Sequence, residues 1–194
     1  MSIKEALKQY RKAVLEAKDE IEKIRAIYKD AEASRLEAGT RERLNAKKAA
    51  LDELQNSEIK EGKRRAAEWA TLDGTQITAD VKLLDFDLTP AEFAELADRY
   101  KDNGTMSRML YKYGEKRNAQ RATESRGATT PFDADYFDLT LIPTKETKAA
   151  EFSNGAITAK GIADRMTIDR GYMSGVESEM VTEAFNNFVG ETNV

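Results

Sequence analysis

Residues 3–31, IKEALKQYRKAVLEAKDEIEKIRAIYKDA, carry the pattern that decides the fold. Ile3, Leu7, Tyr10, Val14, Ala17, Ile21, Ile24, Tyr28 and Ala31 recur at alternating steps of four and three residues. That rhythm keeps apolar side chains on one side of a helix and makes a heptad seam. Lys, Arg and Glu fill the remaining positions, and no glycine or proline interrupts before Gly39. The spacing predicts a helix over 3–38 whose stripe must be covered, because an amphipathic helix left alone exposes its apolar face to water.

Two ways of covering it are open. Gly39 suits a helix C-cap and Thr40 an N-cap, which gives an antiparallel hairpin with the following stretch. There Leu44, Leu51 and Leu54 share a face, weakened by Lys47 or Lys48 between them. Alternatively the helix runs through Gly39 and the seam meets another chain. Ile3, Leu7, Tyr10, Val14, Ile21, Ile24 and Tyr28 are then the oligomerisation seam, with a second copy of the chain as partner.

Working outward, residues 1–70 form a coiled-coil or hairpin element that closes in AAEWATL around Trp69, and residues 71–194 a small, mainly helical module. Asp73-Gly74 is a turn signal. Ile77, Ala79, Val81 and Leu83 alternate with polar residues, and so do Phe137, Leu139 and Leu141. Period two predicts strands at about 76–84 and 136–142, a minor two-stranded β element that needs a helix to cover it. Between them, Thr89-Pro90 with Glu92 is a capping box with proline at the first helical position, so a helix is expected over 90–102. Asn103-Gly104 ends it, and a second is expected over 105–122. Two more are expected at 157–166 and 175–188. The fold class is mainly α with that β addition.

Composition narrows function by exclusion. The 194 residues hold no cysteine and no histidine, which removes thiol and imidazole nucleophiles, disulfides and ordinary zinc sites. A non-enzyme without cofactor or metal is expected. Asp85 and Asp87, and Asp133, Asp135 and Asp138, match no calcium loop. No apolar run reaches the ~20 residues that span a bilayer, and the charged N-terminus lacks a signal-peptide core; a protein of the cytoplasm that touches no membrane is expected.

The net charge of −4 is a mosaic: +3 over residues 1–70, −5 over 71–107, +4 over 108–126 and −6 over 127–194. Arg108, Lys112, Lys116, Arg117 and Arg121, interleaved with Tyr111 and Tyr113, form a basic interaction patch. Basic and aromatic residues together suit phosphate or single-strand binding, but the flanking acidic segments offer internal partners, which is the favoured reading.

Residues 157–176, ITAKGIADRMTIDRGYMSGV, partly resemble a bacterial repressor helix-turn-helix. Ile162, Ala163, Met166, Ile168, Met173 and Val176 fall at its apolar positions, while Thr167 stands where the pattern wants glycine. Arg170, Tyr172 and Ser174 would contact DNA, in an acidic setting that disfavours it. Residues 88–116 resemble a segment of small structural and assembly proteins of tailed phages of Gram-positive bacteria. Leu88, Thr89, Glu92, Tyr100, Lys101, Asn103, Thr105, Met106, Leu110 and Tyr113 carry the resemblance. It implies a scaffold-like or accessory role in the virion, or in host cytoplasm during assembly, with other virion proteins as partners. The leading expectation is such an assembly protein acting through association. The alternative is a DNA-binding regulator, and a third reading is a phage-encoded inhibitor of a host protein.

Overall fold

The structure is a computed structural model that describes residues 1–124, 136–166, 168 and 178–190. Its helices are α1 (Ile3–Ile27), α2 (Asp30–Trp69), α3 (Pro90–Arg99), α4 (Gly104–Glu124), α5 (Lys145–Arg165) and α6 (Glu179–Val189). The chain forms two compact units, one of residues 1–61 with 153–194 and one of residues 62–152. They differ from the expected division at residue 70, because α2 and α5 each run past a unit boundary.

In the first unit α1 and α2 are antiparallel, joined by Arg25–Glu37 and Glu20–Arg43 ion pairs at 2.7 and 2.6 Å. The reversal falls at residues 28–30. Tyr28 is extended (φ −106°, ψ 154°), and Asp30 takes the left-handed conformation (φ 52°) that Asp tolerates better than most residues. Gly39 and Thr40 therefore do not turn the chain. Both lie inside α2, where the Thr40 hydroxyl donates to the Leu36 carbonyl. A helix unbroken over 3–38 is corrected on the same ground.

The seam is closed inside this unit. Leu7, Tyr10, Val14, Ala17, Ile21 and Ile24 are buried, Ile3 packs at the edge, and Tyr28 is exposed at the reversal. Leu51 of α2, Ala159, Ile162 and Ala163 of α5 with Met166 just beyond it, and Val181 and Phe185 of α6 complete the core. α5 runs antiparallel to α2, held by Lys48–Asp164 at 2.7 Å, Lys160–Asp52 at 3.5 Å, and the Ser153 hydroxyl donating to the Ile59 carbonyl. Lys48 also pairs with Asp52 at 2.5 Å. The lysine that weakens α2's stripe is thus a half-buried junction between two acids. One stranger sits in the core: Gln55 is 0% exposed, and both polar atoms of its amide lack a partner among the described residues.

The second unit is built on aromatic rings. Phe93 of α3, Tyr113 of α4 and Phe137 converge, with Phe93–Phe137 centroids 4.6 Å apart and Tyr113–Phe137 5.6 Å. Leu96, Ala97, Leu110 and Ile142 are buried with them. Gly114 lets α4 approach, since a Cβ there would lie 2.7 Å from Leu139 and 2.9 Å from the Phe93 ring.

The expected β element is absent: no strand occurs among the described residues. Residues 74–76, 79–85 and 139–141 form 3-10 turns instead. The cause is local. Asp73 accepts from the Thr75 amide and hydroxyl (2.9 and 2.7 Å), and Asp138 accepts from those of Thr140 (2.9 and 2.6 Å). Such side-chain bonds to the backbone compete with a ladder, and an isolated two-stranded ribbon has little to oppose them. Alternation did not mean one covered face here: Ile77 is 45% exposed and Leu83 39%.

Candidate docking cleft

The corner between α3 and α4 is fixed by its polar residues. Thr89 and Glu92 complete a reciprocal capping box at the start of α3. Asn103 caps α4, its side-chain oxygen accepting from the Met106 amide at 2.9 Å while its amide donates to the Gln76 carbonyl at 2.8 Å. Thr105 accepts from the Asp73 amide, and the Tyr100 hydroxyl donates to Asp80 at 2.6 Å. The Tyr113 hydroxyl accepts from the Leu88 amide and donates to the Phe86 carbonyl. Thr89, Glu92, Tyr100, Asn103, Thr105 and Tyr113 thus build a helical corner.

That corner forms one side of a cleft of about 280 Å³ lined by Trp69, Ala70, Gly104, Ser107, Arg108, Tyr111, Lys112, Pro143, Thr144 and Lys145. Gly104 belongs there because of a close approach: a Cβ would overlap the Trp69 carbonyl oxygen and lie 2.7 Å from its carbon. Trp69, the chain's only tryptophan, has its indole N–H buried without an acceptor among the described residues. The Lys148 ammonium stands 5.8 Å from the centroid of its ring. Lys148 is 3% exposed; burial opposes its charge, yet hydrogen bonds to Asp102 and Glu151, both at 2.9 Å, raise its pKa above the ordinary lysine value. The same contact holds Asp102 below the usual carboxylate range.

The predicted basic patch divides. Arg108 and Lys112 lie one helical turn apart on α4, are exposed, and line the cleft. Arg117 and Arg121 serve the fold: Arg117 pairs with Asp87 at 2.6 Å and lies over Tyr113, and Arg121 stacks 3.4 Å from the Tyr136 centroid. Lys116 is exposed and is not among the cleft's lining residues. Of the two tyrosines, Tyr113 is core and Tyr111 lines the cleft.

Sequence reading missed Lys145, Trp69 and Pro143 as companions of this patch, since they come from α5, α2 and the turn before α5. The one available signal was Trp69 itself, a large aromatic at the end of a charged helix. The remaining predicted sites lie elsewhere. Ala159, Ile162, Ala163 and Met166 belong to the first unit's core, and Ile168 packs beside it. Arg170, Tyr172 and Ser174, the DNA-contacting candidates, lie outside the described residues, as does 175–177 of the last expected helix. Among the described residues no cluster of acidic side chains is placed to hold a metal ion, and no helix is long and apolar enough to cross a membrane. Comparison with known protein families, curated proteins and solved structures finds no match.

Proposed function

We propose that this chain is a non-enzymatic virion or assembly protein of a tailed phage, acting through association with other proteins by way of residues 62–152. The observation that carries the reading is the cleft: an aromatic-walled hollow whose rim holds Arg108, Lys112 and Lys145 and no carboxylate. Interface centres favour aromatic anchors and arginine at such places. The resemblance over residues 88–116 is what supports the phage setting.

The first unit supports the same reading by subtraction. Its seam is covered by its own helices and is not offered to a partner. Exposed apolar side chains of the second unit, Leu72, Ile77, Leu83 and Phe86, extend the surface available to a partner. The test is co-sedimentation of the purified chain with virions, capsids or tails of the phage that encodes it, followed by reconstitution with each purified virion protein. A stoichiometric complex with one of them is expected. Failure with every virion component would overturn the assembly role.

A further inference from the structure

We propose that the Trp69 cleft docks an acidic segment of a partner protein, with one aromatic or aliphatic side chain of that segment seated between Trp69, Tyr111 and Pro143. The inference rests on the association reading above and specifies the partner's chemistry. Its first support is charge. Residues 62–152 carry a net charge of −2, yet the ten cleft-lining residues include three cations and no anion. Lys112 has only an exposed contact with Glu115 at 3.2 Å, and Arg108 and Lys145 have no ion-pair partner among the described residues.

The second support is size. A cleft of about 280 Å³ lies at the lower end of the roughly 300–1,000 Å³ of small-molecule sites and has room for one anchoring side chain. An aromatic anchor buries about 150–250 Å² and supplies the affinity, while rim cations select carboxylates beside it and speed the encounter.

The third support separates protein from nucleic acid. A single strand needs a track of free cations and stacking faces along its backbone. Beyond the cleft, α4 adds one exposed cation, Lys116, a turn after Lys112, and the row ends there, because Arg117 and Arg121 are held against Asp87, Tyr113 and Tyr136. The cationic surface is local, matched to a short acidic stretch.

Trp69 supplies the assay, since its emission reports this cleft alone. The full-length chain is titrated with a short peptide bearing phenylalanine between aspartates, its counterpart with asparagines, and an oligothymidylate of equal length. The aspartate peptide is expected to shift Trp69 emission saturably and to weaken as salt rises. Arg108→Glu combined with Lys145→Glu should reduce that affinity about tenfold or more, since two attractive exposed pairs are replaced by two repulsive ones. Both positions are exposed, and a glutamate at the first residue of α5 suits the helix dipole, so circular dichroism should be unchanged. Lys116→Glu should leave affinity unaltered. Equal binding of the asparagine peptide, preference for oligothymidylate, or no response of Trp69 to any probe overturns the proposal. A virion complex that forms equally well with the double variant sinks the cleft while leaving the association reading intact. Absence of any virion complex beside a positive peptide titration sinks the association reading alone.

Discussion

Two glycine-to-alanine substitutions should act in opposite directions, and their signs follow from the path of the chain. Gly39 lies within α2, a Cβ there meets nothing within 4 Å, and its φ is not positive. Glycine in a helix interior costs about 0.5–1 kcal/mol relative to alanine through backbone entropy. Gly39→Ala should therefore stabilise the protein by roughly that amount. Gly104 is the opposite case, for the new methyl would stand 2.7 Å from the Trp69 carbonyl carbon, with the carbonyl oxygen nearer still. Ordinary carbon contacts are about 3.5–4 Å, so the end of α2 and the start of α4 must separate by on the order of 1 Å. Overpacking costs about 1–3 kcal/mol where side chains can yield; with main chain on the other side, the upper end or more is expected. Urea unfolding followed by far-ultraviolet ellipticity and by Trp69 emission measures both variants. With a slope of about 2 kcal/mol/M, Gly39→Ala should raise the midpoint by up to ~0.5 M, and Gly104→Ala should lower the Trp69 midpoint by more than ~1 M. A Gly39→Ala variant that loses 1 kcal/mol or more would place the turn at residue 39 after all. A neutral Gly104→Ala would remove the close approach that shapes the cleft.

The other predictions concern polar groups. Gln55 is fully buried with both amide atoms unpartnered among the described residues, and a buried unsatisfied polar group costs about 1–3 kcal/mol. Gln55→Leu should stabilise by roughly 1–2 kcal/mol in the same urea assay; a lower midpoint would show that the amide is satisfied in the folded protein. Acid should act through Asp102 and Asp80, whose folded pKa values lie below the usual range because Lys148 bonds the first and Tyr100 and Arg99 bond the second. A carboxylate with a depressed folded pKa stabilises above its unfolded value and loses that contribution as pH falls through the folded one. The melting temperature should therefore hold from neutrality to about pH 4 and fall below it, with Lys148→Met weakening the Asp102 share. A melting temperature that rises below about pH 4 would contradict this.

The parts legible in the sequence were those in which one physical signal dominated. The seam from Ile3 to Ile24 marked a buried helical face, and Thr89, Pro90 and Glu92 wrote the start of α3 in three residues. What escaped depended on the fold as a whole. On α2 the expected stripe of Leu44, Leu51 and Leu54 does pack on the first unit's core, but buried Ala33, Thr40 and Gln55 beside it are small or polar residues that apolar patterning passes over. The reversal at Tyr28 and Asp30 interrupts an unbroken rhythm without glycine or proline. Alternation at Ile77–Leu83 looked like a strand because no local signal shows that a ladder partner is missing. In the basic patch, the sequence showed five cations alike, and only their neighbours separate Arg117 and Arg121, which hold the fold, from Arg108 and Lys112, which line the cleft.

The central claim about the fold is that the chain closes its own seam with α2, α5 and α6. Far-ultraviolet ellipticity measured across a wide range of protein dilution tests it directly. If α1 is covered by α2, α5 and α6 of the same chain, helical signal per residue stays constant down to the lowest measurable concentration. Helicity that melts away on dilution would mean that a second chain covers Leu7, Val14 and Ile21, and would contradict the account.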